Sequence, residues 1–343
     1  MANPDRPAAR RGPGVPGLRR LVRWQLGRLF GPPPFDPDAD PGDPGLCGPG
    51  SASWQAIGEP AAIAGGLRAL LLQVAHPLAM AGVADHSAFR TDPLGRLHRT
   101  SAYVTASTFG STREALQVAR QVRQVHPHVH GVTPDGRAYR ADDPHLLTWV
   151  GVALTASFLA ADRCWSPTPL GVAARDAFVH EQSRIAALLD PHVDVDGLLA
   201  DPTGQAELRA GRVALPLLDR GLLPRTEAEL EAVLDEFAPE LGVGDQGRAA
   251  LRFLRWPPLP LAVRPAYLGL YAGAIGSLSR RERRALELDV PDAVAAAAVV
   301  QARIALTALR AATGTSPSVA AATRRAAARS DAQTRASVPP QGP

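Results

Sequence analysis

Histidine, the residue type best suited to metal and proton chemistry near neutral pH, is concentrated in one stretch of the sequence. Six of the nine histidines lie between residues 76 and 130, namely His76, His86, His98, His126, His128 and His130. Lysine chemistry is excluded, because all 37 basic residues are arginine and no amine is present to form a Schiff base. The histidine-rich stretch is therefore the first candidate for a functional site.

His126 is the most informative of these residues because of its place on a predicted helix. Residues 112–126 carry apolar side chains at helical spacing, and His126 extends the stripe that includes Val118 and Val122, so its imidazole is predicted to face the core. Pro127 ends or kinks the helix directly after it. An inward imidazole at a broken helix end suits a metal or haem ligand, and the alternative is a core histidine that is simply hydrogen-bonded.

A zinc site is a second interpretation of the same segment. His126 and His130 are four residues apart, which is the spacing of two zinc ligands on one helical turn. Pro127 disturbs that geometry, and no acidic residue occurs between Glu114 and Asp135 to complete the ligand set. A His-ligated, metal-dependent hydrolase is kept as an alternative function.

The segment DPLGRLHRT places Arg96 and Thr100 one helical turn apart. A guanidinium that is buried beside apolar helices needs an anion as its partner. A haem propionate is one such anion, and a structural aspartate, Asp85 or Asp92, is the other.

The surrounding elements predict an all-α domain. Residues 61–83 and 146–161 are nearly apolar all round, which is typical of helices buried inside a bundle; a membrane span is the rival interpretation. Amphipathic patterns predict further helices at 171–189, 205–221, 226–240, 245–255 and 291–312. At most one short hairpin is expected, at 131–140, with Asp135-Gly136 in a type I′ turn.

Composition divides the chain into three parts. Residues 1–50 are rich in Pro, Arg and Gly and contain one basic amphipathic helix at 17–30, which is expected to dock on its own domain or to lie on an anionic membrane surface. Residues 51–312 form the all-α domain. Residues 313–343 form a tail that we expect to be disordered from about residue 325 onward.

Charge and cysteine content exclude several classes of protein. The net charge of +4 is spread along the chain and aromatic residues make up only 5%, so nucleic acid is not an expected partner. Two cysteines are too few for a disulfide framework. No apolar run of signal-peptide length follows the N-terminal arginines, so we expect a cytoplasmic protein. The alternative is a protein that contacts the inner face of the membrane peripherally through residues 17–30.

Five motifs follow one another along the chain: HPxAxxGV from residue 76, HSxF from 86, DPxGRLxRT from 92, HxxVxG from 126 and GxxYxADDPxLLxW from 136. In this order, and over about residues 50–290, the sequence closely resembles the MpaB/rubber oxygenase family. The family includes latex clearing protein and a fungal membrane-bound oxygenase.

The resemblance implies an all-α domain with a globin-like core that binds haem b and uses dioxygen on a hydrophobic, olefinic or isoprenoid substrate. The histidine of the family's HxxV motif is the proximal iron ligand and matches His126, with Val129 closing the motif. The family's arginine and threonine that line the haem pocket match Arg96 and Thr100. His76 is left with three roles: second axial ligand, distal donor or core histidine.

The sequence also departs from its relatives at three places. Gly151 follows Trp149-Val150 where the family commonly has a histidine, and Arg99 replaces a lysine that caps the iron in latex clearing protein. A guanidinium stays protonated and cannot coordinate iron. No glutamate occurs around 79–83, where latex clearing protein has its distal base. These differences concern rubber cleavage rather than haem binding, and a non-catalytic haem or lipid binder is the second alternative function.

Overall fold

A computed structural model describes residues 31–87 and 93–336. Within these ranges the protein is all-α, with sixteen α-helices and one small hairpin, which confirms the predicted fold class. The helices are α1 (Ala52–Ile57), α2 (Ala61–Ala75), α3 (Pro77–His86), α4 (Pro93–Phe109), α5 (Thr112–Val125), α6 (Pro144–Trp165), α7 (Val172–Ala187), α8 (Val195–Ala200), α9 (Pro202–Arg209), α10 (Pro216–Asp219), α11 (Glu227–Phe237), α12 (Asp245–Arg255), α13 (Arg264–Gly276), α14 (Arg280–Ala285), α15 (Asp292–Thr313) and α16 (Pro317–Ala336). Two 3-10 turns, His126–His128 and Ala238–Glu240, follow α5 and α11.

The centre of the fold is the pair α2 and α6, which pack along each other. Both helices are apolar on nearly every side, and Leu71, Leu72, Trp149 and Val152 have no measurable exposure. A helix without a polar face is stable in a soluble fold only when other helices surround it. This explains why the two most apolar segments of the sequence lie at the core.

Gly65 is the point where α2 approaches α6 most closely. A Cβ atom at this position would lie 2.9 Å from Phe158 Cδ1 and 3.0 Å from Ala161 Cβ. At the next residue, Gly66, a Cβ atom would meet nothing within 4 Å. The packing of α2 on α6 therefore requires glycine at position 65 but leaves room for a side chain at position 66.

We expect Gly65→Ala and Gly66→Ala to shift stability in opposite directions. Overpacking at Gly65 should lower the free energy of unfolding by about 1–3 kcal/mol. At Gly66, removal of helix-breaking glycine should raise it by roughly 0.5–1 kcal/mol. Urea denaturation of both variants measures the difference, and equal effects would contradict the close approach at Gly65.

The structure corrects the prediction of one helix over 61–83. The chain bends by 100° between α2 and α3. His76 sits at the bend in an extended conformation, φ −97° and ψ 111°. Pro77 causes this break, because a proline disfavours helical geometry in the residue before it.

Two helices, α6 and α15, are long and apolar enough to cross a membrane by length and composition, and α2 with α3 would make a third if the bent pair counted as one span. In the fold, 67% of the most apolar window of α6 is buried, against 17% for α15. The burial of α6 matches the expectation of a helix inside the bundle. On α15, Val294, Val300 and Ile304 are exposed.

The predicted hairpin is present, with β1 (His130–Val132) pairing antiparallel to β2 (Ala138–Arg140). The turn type differs from the prediction. Gly136 has a positive φ of 86°, but Asp135 does not have a positive φ, so the turn is not type I′. Thr133 instead accepts from the Gly136 N–H and closes a longer loop, since its own N–H donates to the carbonyl of Arg137.

The segment 205–221 is also not one helix. It divides into α9 and α10, because Gly211 adopts a positive φ of 73° and Pro216 cannot continue a helix begun before it. The other four amphipathic patterns correspond to α7, α11, α12 and α15 within a few residues at each end.

The C-terminal segment differs from the expectation of disorder beyond about residue 325. It forms α16, on which Ala321 and Ala322 are buried and Arg325 is 2% exposed. Arg325 donates to the carbonyls of Asp43 and Phe109, and its carbonyl accepts from the N–H of Gly42. The small alanine side chains allow close packing, and Arg325 connects three parts of the chain. The prediction of disorder from composition took account of neither effect. The predicted helix at 17–30 and residues 337–343 lie outside the described residues.

Candidate functional site

The predicted site residues lie on an αα-hairpin formed by α4 and α5, which pack against each other. The link between them is two residues long, and a capping box starts α5: Ser111 Oγ accepts from the Glu114 N–H, and the Glu114 carboxylate accepts from the Ser111 N–H. A Cβ at Gly110 would lie 2.4 Å from the carbonyl oxygen of Ala106, so the turn requires glycine. The hairpin geometry is thus set by local sequence.

This hairpin brings Arg96, Thr100 and His126 to the same end. Arg96 and Thr100 lie on the first turns of α4, and His126 directly follows α5. At a rise of about 1.5 Å per residue, Arg96 and His126 both lie roughly 20 Å from the turn that joins the helices. Three of the predicted residues, separate in sequence, therefore belong to one region of the fold.

His126 caps the C-terminus of α5 and begins the 3-10 turn that Pro127 helps to form. Its Nδ1 is buried and has no hydrogen-bond partner among the described atoms. Burial lowers the pKa of His126, and the nearby carboxylate of Asp142 only partly opposes this effect. The imidazole is therefore neutral at neutral pH, which is the form that binds metals.

The His126 ring lines a cavity of about 270 Å³ between α5 and the segment that leads into α8. Arg120, Arg123, Pro127 and Asp142 share the lining. The volume is slightly below the roughly 300–1,000 Å³ typical of small-ligand pockets. The fit to haem therefore rests on the chemistry of the donor, an unpartnered neutral imidazole, and not on the volume of this cavity.

Val129, the closing residue of the HxxV motif, packs against α3. A Cβ at Gly82 would lie 3.3 Å from Val129 Cγ1, so the glycine of HPxAxxGV makes room for this valine. The Val129 N–H donates to the carbonyl of His126 at 2.9 Å, and its carbonyl accepts from the N–H of Ala141. Val129 thus holds the His126 turn against both α3 and the end of the β-hairpin.

Tyr139 gives the GxxY motif a structural role. Its hydroxyl donates to Asp85 Oδ2 at 2.6 Å, and Gln246 Nε2 donates to the other oxygen of Asp85 at 3.0 Å. A Cβ at Gly131 would lie 2.6 Å from the Tyr139 hydroxyl oxygen, so glycine is required there. Asp85, one of the aspartates considered as a partner for Arg96, is instead bonded to Tyr139 and Gln246, and Asp92 lies outside the described residues.

Gly131→Ala should displace the Tyr139 ring and break its bond to Asp85. The loss of one hydrogen bond to a charged group is worth about 1.5–3 kcal/mol of unfolding free energy. Gly242→Ala is the matched control, because Gly242 lies in a loop without a positive φ and a Cβ there meets nothing within 4 Å. Chemical denaturation that finds the two variants equally stable would show that Tyr139 moves at no cost.

Arg96 and Thr100 differ in what they offer to a ligand. Thr100 Oγ1 donates to the Arg96 carbonyl at 3.1 Å, so its hydroxyl proton serves the helix backbone. Burial lowers the pKa of Arg96, and the positive charge of Arg99 adds to the effect. A partly buried arginine beside a second cation is stabilised by an anion. Neither Arg96 nor Thr100 is among the residues that line the cavity beside His126.

His76 is almost fully buried, with 1% exposure, at the bend between α2 and α3. Its Nδ1 accepts from the N–H of Ala79 at 3.4 Å and caps α3. Burial lowers the pKa of His76 to about 4, so the ring is neutral. The ionisable side chains near His76 are Glu240, His145 and Arg137, and none of its contacts in the described part of the chain involves His126.

His145 and Glu240 are site residues that sequence reasoning missed. His145 Nε2 lies 2.9 and 3.0 Å from the two carboxylate oxygens of Glu240, although the residues are 95 positions apart. No motif spacing connects them, since only the folding of α6 against α11 brings them together. Conversely, His126 and His130 do not belong to any group of three potential metal ligands in ranges 31–87 and 93–336, so the zinc-hydrolase alternative finds no ligand set there.

Gly151, where the family commonly has histidine, has a packing role. A Cβ at this position would lie 3.0 Å from Ala186 Cβ and 3.3 Å from Leu223 Cδ2. α6 and α7 therefore approach each other closely at Gly151, and an imidazole would not fit.

The comparison with known families assigns the chain to the catalytic domains of oxygenases. The chain belongs to the family described as ER-bound oxygenase mpaB/B′/rubber oxygenase, catalytic domain, whose pattern matches residues 54–314. No curated protein matches the chain significantly, and no solved structure does. Membership in this family assigns the chain to enzymes of the oxygenase type and indicates a small-molecule substrate and dioxygen as reactants.

Proposed function

We propose that this protein is a haem b-dependent oxygenase in which His126 is the proximal iron ligand. One observation carries the proposal: the histidine of the family's HxxV motif is a neutral imidazole with a buried, unpartnered nitrogen at a broken helix end. A buried polar atom without a hydrogen-bond partner destabilises the fold unless a ligand bonds to that atom.

The chain's own residues supply the binding chemistry. His126 is kept neutral by burial, so a lone pair is available to iron without prior deprotonation. The 3-10 turn and Val129 restrict the orientation of the ring, since Val129 is bonded to His126 and packed on Gly82. Arg96, at the same end of the αα-hairpin, would provide a positive charge for the propionates, and Thr100, one turn further along α4, would line the haem pocket, as the family resemblance implies.

Bound haem supplies the activation of dioxygen, and the polarity of its pocket decides between storage and reaction. The proposal of a hydrophobic substrate with a carbon–carbon double bond, such as an isoprenoid, is supported by membership in the rubber oxygenase family. The helices that pack on the αα-hairpin do not add to it, since α9 and α16 are polar. Arg99 contributes no iron ligand, because a guanidinium remains protonated. We place the protein in the cytoplasm, with residues 17–30 as a peripheral contact to the inner face of the membrane.

An absorption spectrum of the full chain as purified, before and after dithionite and carbon monoxide, tests the proposal. We expect a Soret band that shifts with carbon monoxide, and oxygen uptake with an unsaturated isoprenoid such as squalene. A Soret band without oxygen uptake would favour a non-catalytic haem binder. A colourless protein that haemin does not reconstitute would contradict the proposal.

A further inference from the structure

We infer that His76, His145 and Glu240 form a second metal site, separate from the proposed iron site, for a divalent ion of the zinc class. In the parts of the chain that the structure describes, these are the residues whose ligand atoms form a metal-competent group, all lying within 4.8 Å of one another. His76 opens the HPxAxxGV motif, but the haem proposal assigns no iron-binding role to His76, His145 or Glu240.

Three separate elements hold the three ligands. His76 sits at the bend between α2 and α3. His145 is the second residue of α6, and its backbone N–H donates to Asp143 Oδ1, which caps that helix. Glu240 ends the 3-10 turn that follows α11. The positions are set by backbone elements rather than by long flexible loops, which favours a preformed site.

The distances suit a tetrahedral ion. His145 Nε2 lies 2.9 Å from Glu240 Oε1, and His76 Nε2 lies 3.4 Å from Glu240 Oε2. Zinc binds imidazole nitrogen and carboxylate oxygen at about 2.0–2.2 Å, which places tetrahedral ligand atoms roughly 3.3 Å apart. An ion between the three side chains therefore requires only small rotations of them.

His76 supplies the independent indication of a ligand. The residue is 1% exposed, and its Nε2 has no hydrogen-bond partner although it faces the Glu240 carboxylate. At 3.4 Å the contact with Glu240 is too long for a good hydrogen bond. Because Glu240 is shared with His145, its carboxylate does not satisfy both imidazoles at short distance, whereas a central cation does.

Coordination through His76 Nε2 requires the tautomer that carries its proton on Nδ1. That tautomer gives up the bond from the Ala79 N–H, which at 3.4 Å is long. The weak cap is thus the main local interaction that metal binding replaces.

The neighbouring rings fix the orientation of the two imidazoles. His145 stacks on Phe237 with ring centroids 4.4 Å apart, and His76 lies 5.4 Å from the ring of Trp149. The side chains of His145 and Glu240 are 51% and 38% exposed, so water reaches a fourth coordination position. Two imidazoles and one carboxylate with an open position favour a first-row transition ion over magnesium or calcium.

Titration of the EDTA-treated full chain with zinc chloride in a calorimeter tests this site. We expect one zinc ion per chain in the wild type and at least tenfold weaker binding in His145→Gln and in Glu240→Gln. His192→Gln and Glu236→Gln are matched controls, because both residues are exposed and lie outside the cluster. Absence of zinc binding in the wild type, or unchanged binding in both cluster variants, would overturn the proposal.

A second experiment uses cobalt(II) as a spectroscopic probe and requires only the wild-type protein. Bound to the wild type, cobalt should give the intense visible bands of a four-coordinate ion, and one equivalent of zinc should remove them. Weak bands typical of a six-coordinate ion would contradict the site. Neither readout depends on haem, so failure here and failure of the oxygenase proposal are distinguishable.

Discussion

Replacing His126 with alanine should remove the Soret band from a protein that carries it in the wild-type form. His126 supplies the proposed bond from protein to iron, and Arg96 would contribute only charge. Loss of an outer-shell partner of a metal ligand costs about 10–100-fold in affinity, so loss of the ligand itself should cost more than roughly 100-fold. Haem content per chain, measured as the pyridine haemochrome, provides the readout.

The matched control for this variant is His128→Ala. His128 lies in the same 3-10 turn, but its side chain is exposed. Both variants remove one imidazole, so a general effect on the turn would reduce haem content in both. Retention of haem by His126→Ala and its loss from His128→Ala would reverse the assignment.

Glu282→Gln should destabilise the fold by about 3 kcal/mol, because it leaves Arg68 as a buried charge without its counter-ion. Arg68 Nη2 donates to both carboxylate oxygens of Glu282, at 2.8 and 2.9 Å, and Nη1 donates to Ser157 Oγ at 3.1 Å. The side chains of Arg68 and Glu282 are only 7% and 14% exposed. Glutamine preserves the capping box that Glu282 forms with Ser279, so the change mainly reports the loss of charge.

Asp235→Asn is the control for the buried pair. Asp235 accepts from Arg281 at 2.7 Å, but both side chains are more than half exposed. Exposed pairs of this kind contribute about 0–1 kcal/mol. Guanidinium denaturation of both variants should therefore separate them clearly, and equal losses would indicate that Arg68 is solvated in the native state.

Local features of the sequence were sufficient to predict the second helix of the αα-hairpin. The apolar stripe on 112–126 and the helix stop at Pro127 place His126 correctly at the end of α5, because both signals act within a few residues. The capping box of Ser111 with Glu114 is equally local, but it was not predicted. The burial of α6 follows from its apolar composition, since no polar face is available to meet water.

The features that sequence reasoning missed depend on contacts between distant segments. His145 and Glu240 meet only because α6 and α11 pack together. His76 and Pro77 visibly interrupt the apolar segment 61–83, but the 100° bend there was not predicted, because the apolar pattern continues on both sides of Pro77. α16 was not predicted for the same reason, since it packs on residues 35–43 and on α4, which are more than 200 positions earlier in the chain.

Arg325 has a consequence for synthesis on the ribosome. It lies over the Phe35 ring at 5.6 Å, and its guanidinium bonds the carbonyl of Asp43. The contacts of residues 35–43, near the start of the described chain, are therefore incomplete until Arg325, near its end, has been synthesised. Because translation adds about 5–20 residues per second, this segment emerges many seconds before its partner exists.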